Sequence, residues 1–126
     1  MKIAFVSEDH KTISAHFGRA KFYEVITLEA GSVTQRETLV KSNPLLATPD
    51  EIHVFGDDHG HHHDHNAMIA PIHDCEVLIS RGMGKAAHIS LQENDIQPII
   101  TDIKEIEAAL EAYITGTLAD HPELLH

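Results

Sequence analysis

Residues 75–91 read Cys75-Glu76-Val77-Leu78-Ile79-Ser80-Arg81-Gly82-Met83-Gly84-Lys85-Ala86-Ala87-His88-Ile89-Ser90-Leu91, and their hydrophobic period changes part way along. Glu76 to Ser80 is a short apolar run of strand length. Gly82-Met83-Gly84 then opens a helix in which Met83, Ala87 and Leu91 share one face. A strand feeding directly into a helix is half of a right-handed crossover, so a parallel neighbour strand is expected beyond it.

That strand is found downstream in Ile99-Ile100-Thr101, with Pro98 at its start where a missing N–H is tolerated. Asp102 is placed to cap a second helix, with Glu105 three residues on. Ile103, Ile106, Leu110 and Tyr113 recur at helical spacing, and Gly116 comes after the last turn as a C-terminal cap. Upstream, Lys2 to Ser7 reads as a buried strand. Phe22 to Leu28 and Val33 to Val40 read as two more, joined by a tight turn at Ala30-Gly31-Ser32. Asn66 can cap a short helix carrying Met68 and Ile72, which Pro71 should bend or end. The order is βββαβαβα, a mixed α/β sandwich with helices packed on the sheet.

At 126 residues the chain has the length of one domain. That domain is expected over residues 1–118, with a loose C-terminal tail at 119–126. Between the halves, Lys41 to His65 is polar and broken by Pro44, Pro49, Gly56 and Gly60, a connection of the length that is usually functional or disordered.

Acidic residues number 20 against 9 Lys plus Arg, for a formal charge of −11, so phosphate backbones and anionic membranes are repelled and nucleic acid is not expected as a partner. Protonating all 12 histidines would bring the charge to +1, so it is strongly pH-dependent. The apolar stretch Ile3 to Val6 is too short for a signal-peptide core or a membrane span, and a cytoplasmic location without membrane association is expected. Cys75 is the only cysteine, which excludes an internal disulfide and any four-thiolate site built within one chain.

Three groups of residues carry chemistry. Asp57 to His65, inside a histidine-rich loop at 56–65, packs His59, His61, His62, His63 and His65 among three carboxylates. These are borderline ligands suited to zinc, nickel or cobalt. In extended chain four of those imidazoles alternate onto one side. The opposite reading is a solvated loop with affinity but no purpose. The second group is Ile13-Ser14-Ala15-His16-Phe17-Gly18-Arg19-Ala20, where His16 and Arg19 can point the same way and present a ligand beside a fixed cation. Alternatively Phe17 plugs the core and the two polar side chains bond loop carbonyls. The third is Arg81-Gly82-Met83-Gly84, where a helix N-terminus and Arg81 favour an anion and Gly82 and Gly84 permit close approach. Without phosphate-loop or dinucleotide spacing, it reads equally as a tight strand-to-helix turn. Cys75 is either a thiolate ligand or a small buried hydrophobe.

The run from Ile13 to Ala20, then Cys75 to Gly84, then Ile96-x-Pro98 and a closing helix ending Ala112-Tyr113-x-x-Gly116, resembles the dinitrogenase iron-molybdenum cofactor biosynthesis family of the NifX, NafY and NifB C-terminal type. The resemblance spans roughly residues 1–118. It implies a ribonuclease H-like fold and a non-catalytic carrier of the iron-molybdenum cofactor, its precursor or an iron-sulfur type cluster. It also implies a partner metalloenzyme or cluster-assembly protein. By resemblance the cluster sits at His16 and Arg19 and the loop before the short helix, with Arg81 to Gly84 nearby. The alternative is a divalent-metal buffer or delivery protein working through the histidine loop. Nuclease activity is not expected, because Lys2-Ile3-Ala4-Phe5-Val6 offers no carboxylate for a two-metal site.

Overall fold

The computed structural model describes residues 1–18, 20–40 and 69–125. Five strands form one sheet: β1 Lys2–Ser7, β2 Phe22–Glu29, β3 Ser32–Val40, β4 Val77–Ser80 and β5 Gln97–Ile100, in the order β3-β2-β1-β4-β5. The first three are an antiparallel meander, whereas β4 is parallel to β1 and β5 parallel to β4. Among the described residues the longer helices are α1 Lys85–Glu93 and α2 Ile106–Thr115.

Local chemistry explains each element. Ala30 and Gly31 both take left-handed backbone, φ 54° and 79°, so the β2–β3 hairpin turns on two residues and Ser32 already pairs with Glu29. Pro98 lies in β5, an edge strand, where its missing donor costs no ladder bond on the outer side. Met83, Ala87 and Leu91 are all buried, as the period predicts. Gly116 closes α2 at φ 78°, the conformation that terminates helices. β1 lies between an antiparallel and a parallel neighbour, and its Ile3, Ala4, Phe5 and Val6 are buried on both faces.

Of the short helix expected before β4, Asn66 and Met68 lie outside the described residues, while Ile69 is helical and passes into a 3-10 turn at Ala70–Ile72 with Pro71 in its first positions. One local expectation is corrected. The Asp102–Glu105 capping box does not form. Glu105 is itself the N-cap in extended backbone and bridges to Thr12, while the Ile106 N–H donates to Lys11 O at 3.0 Å. The β1–β2 loop has taken over the capping, so no side-chain cap is needed.

The terminal segment, expected to be loose, is also held. Leu118 and Leu125 pack against the core, and Leu125 bridges Met83. At the outer edge of β5, the Ile100 N–H donates to Asp120 Oδ1 at 2.9 Å and Ile100 O accepts the His121 N–H at 2.8 Å. These bonds satisfy main-chain groups that an edge strand leaves open.

One polar cluster is buried. Residues opposite one another in an antiparallel pair share a face, so Glu24 lies on the face of its partners Phe5 and Thr38, with Arg36 a pair away. Glu24, 2% exposed, accepts from Thr38 Oγ1 at 2.7 Å and Arg36 Nε at 3.3 Å, and meets His10 Nδ1 at 2.9 Å. Arg36 also reaches Glu107 on α2 and His10 O at 2.9 Å. Burial pushes the Glu24 carboxyl up, but the hydrogen bonds from His10, Thr38 and Arg36 together outweigh it and hold it below the ordinary 4.5. A depressed carboxyl stabilises the fold above pH 4.5 and loses that contribution as pH falls through its folded value. Replacing Arg36 by Ala is expected to cost about 2–3 kcal/mol by urea unfolding at pH 7, because the buried carboxylate loses its one permanent cation. The loss should shrink as pH falls and Glu24 protonates. A change under 0.5 kcal/mol at pH 7 would show that Arg36 is dispensable.

Candidate functional site

β1 and β4 are parallel neighbours whose chains leave in opposite directions. β1 runs out through the loop to β2 on one side, and β4 through α1 to β5 on the other. The carboxyl ends of such a pair open a crevice, the usual position of a ligand site in an open α/β sheet. Here the β1–β2 loop returns into that gap. The Ser14 N–H donates to Val6 O at 2.8 Å and Ser14 O accepts from the Arg81 N–H at 3.0 Å, so Ser14 lies as a wedge between the two strand ends.

Four more bonds fix the wedge. The Phe17 N–H donates to Gly82 O at 3.2 Å, joining the histidine loop directly to the arginine-glycine loop. Ser80 Oγ, fully buried, donates to Gly82 O at 2.7 Å and accepts the Gly82 N–H at 3.2 Å. Ser14 Oγ accepts the His16 N–H at 3.1 Å, a turn bond that presents residue 16 outward. Phe17 is 1% exposed and its ring lies 6.4 Å from that of Tyr23, so it does plug the core, while His16 is exposed on the rim. The core-plug reading of Phe17 is met, and the pairing of His16 with Arg19 lies outside the described residues.

The start of the loop is set by Asp9, whose carboxylate accepts the Lys11 and Thr12 N–H groups at 3.0 and 2.8 Å. Those bonds, with the Thr12 hydroxyl, hold its carboxyl far below the usual range. Arg81 is half-buried and Gly82 buried. Gly84 is the N-cap of α1 in extended backbone with no side-chain cap. The first turn of α1 carries Lys85 and no acidic residue, although acidic residues number 20 in the chain. The rim therefore combines His16, Arg81, Lys85 and the positive end of a helix, an arrangement that favours an anion with at least one exposed nitrogen ligand.

Of the residues singled out in the sequence, the structure joins the loop that carries His16 to the loop of Arg81, Gly82 and Gly84 through main-chain bonds. It does not bring Cys75 to them. That residue precedes β4, at the end of the sheet where Lys2 begins β1, and some six residues of extended chain, roughly 20 Å, separate it from Arg81. It is 4% exposed, and burial followed by the charge of Asp74 pushes its thiol up to about 12. Arg19, His59, His61, His62, His63 and His65 lie outside the described residues. Among the described residues no three metal-ligating side chains converge. Sequence reasoning missed Ser14 and Ser80. Each comes after an isoleucine at the edge of a turn, a signal too common to single out a residue.

The fold is a small mixed α/β domain, with a candidate site at the split between its first and fourth strands. The chain belongs to the dinitrogenase iron-molybdenum cofactor family, whose sequence model it matches over residues 1–116. No curated protein matches it. Among solved structures it is similar to a Methanocaldococcus jannaschii protein provisionally assigned as a dinitrogenase, with 12% identity, TM-score 0.68 and coverage of 97% of this chain and 95% of that one. It is also similar to the apo form of the orange protein from Desulfovibrio gigas, with 17% identity, TM-score 0.66 and coverage of 96% and 92%. A Thermotoga protein provisionally assigned as NifB shares 17% identity at TM-score 0.57, over 94% and 91%. At these identities the likeness is one of fold. No helix among the described residues is long and apolar enough to cross a membrane.

Proposed function

We propose that this chain is a non-catalytic carrier of an iron-molybdenum or iron-sulfur type cluster, which it takes as cargo at the rim formed by His16, Arg81 and the N-terminus of α1. The observation that carries the proposal is the direct main-chain stitching of the His16 loop to the Arg81–Gly82 loop at the split between β1 and β4. Membership of the cofactor family supports the class of cargo. His16 would ligate, and Arg81 with the helix end would neutralise the cluster's negative charge. The partner in this reading is a cluster-assembly protein or metalloenzyme of the cytoplasm. The strand order and the meander running into parallel β4 and β5 support a ribonuclease H-like frame without the nuclease function. β1 has no carboxylate, and Glu24, the one buried carboxylate among the described residues, already serves His10, Thr38 and Arg36.

The test is anaerobic gel filtration of purified protein with isolated iron-molybdenum cofactor, followed by iron and molybdenum analysis and visible absorption. Wild type is expected to retain metal near one cluster per chain. His16→Ala with Arg81→Ala is expected to lose tenfold or more in affinity, about the effect of removing one ligand and one charge-assisted contact. His73→Ala, at the other end of the sheet, should leave binding unchanged. Equal retention by wild type and the double variant would refute the site, and no retention by any of them the function.

A further inference from the structure

The segment after α2 touches the Arg81–Gly84 loop of the candidate site. Leu125 bridges Met83, inside the Arg81–Gly84 loop, while Phe17 bonds Gly82 in the same loop. The loop thus has two neighbours, one that belongs to the site and one that does not.

The segment's hold is concentrated at His121. Its N–H donates to Ile100 O at 2.8 Å, and beside it Asp120 Oδ1 accepts the Ile100 N–H at 2.9 Å. The His121 ring is set between two carboxylates, with Nδ1 2.8 Å from Glu123 Oε2 and Nε2 3.7 Å from Asp102 Oδ1. Glu123 comes from the segment itself and Asp102 from the β5–α2 connection, so the ring spans the segment and the body it lies on. The Leu124 N–H donates to His121 O at 3.0 Å, continuing the 3-10 turn that delivers Leu125 to Met83.

We propose that Asp120–Leu125 is a latch on the Arg81–Gly84 loop, closed while the His121 ring is charged and loosened when it becomes neutral. The charged groups facing the ring are Glu123, Asp120 and Asp102, all acidic, and a doubly protonated ring satisfies Glu123 and Asp102 at once. The hydrogen bond to Glu123 is the main cause raising the ring above 6.5. Desolvation works against it, and the charges of Glu123, Asp102 and Asp120 add to it. A raised imidazole contributes fully below pH 6.5 and loses that contribution as pH rises through its folded value, so the latch opens toward alkaline pH. The device does not depend on what the site binds.

Amide exchange of the full chain by NMR between pH 6 and 9, expressed as protection factors, reads it. In wild type the protection of the Ile100 and His121 amides is expected to fall about two- to fivefold across that range, the scale of an exposed ion pair, with Met83 and Gly84 falling in step. Ile79 in the centre of the sheet should not change. In His121→Gln the same amides should show the lower value at every pH, and Glu123→Gln, which keeps the imidazole, should move the fall toward pH 6.5. Wild-type protection independent of pH, or an unchanged fall in His121→Gln, would overturn the role of His121. Leu125→Ser that lowers protection at Ile100 but not at Met83 and Gly84 would overturn the coupling to the loop.

Discussion

In the folded chain Cys75 is expected to react with iodoacetamide at pH 8 on the order of a thousandfold more slowly than in the urea-unfolded chain. The nucleophile is the thiolate, and raising the thiol from its ordinary 9.0 to about 12 lowers the thiolate fraction tenfold for each of three pH units. The cause is local. The sulfur is buried at the foot of β4, and the carboxylate of Asp74, paired with Lys2 Nζ at 2.7 Å, opposes a second negative charge beside it. Rates measured by mass spectrometry decide the matter. A folded-to-unfolded ratio within tenfold would mean an accessible, ionisable thiol and would restore Cys75 as a candidate ligand.

Phe5→Ala is expected to destabilise the domain by about 3–5 kcal/mol, the cost of emptying a fully buried aromatic site. Phe5 is 0% exposed on the most enclosed strand, paired with Glu24 on β2 and Ile79 on β4, so neither neighbour can move in without breaking a ladder. Domains of this size are stable by only about 5–15 kcal/mol, so the variant should unfold at a much lower urea midpoint with an unchanged slope. Phe5→Leu, which keeps most of the volume, should lose less than half as much. A loss below 1 kcal/mol for the alanine variant would show that the sheet repacks freely around β1.

Legibility in the sequence divides by the range of the interaction. The hairpin at Ala30-Gly31, the burial of Met83, Ala87 and Leu91, and the stop at Gly116 are decided within a few residues, by period and by left-handed backbone, so they can be read directly. The family can be read too, because its residues keep their order along the chain. The start of α2 cannot. Asp102 and Glu105 have the spacing of a capping box, but the donor at Ile106 is satisfied by Lys11, some ninety residues earlier. The hold on the tail is hidden for the same reason, since its partners Ile100 and Met83 are distant in sequence.

The candidate site shows the same division. His16 and Arg81 each stand out by residue type, but nothing local says that Ser14 would wedge between β1 and β4 and join them. Cys75 and Arg81 look like neighbours because only six positions separate them. A strand between them puts them at opposite ends of the sheet, which is the one arrangement that sequence proximity argues against.

Main-chain atoms and two serine hydroxyls carry bonds that unite the two rim loops. The span between the loops is to that extent a property of the backbone. A ruler of this kind is laid down by the chain path itself, before any side chain on the rim is chosen.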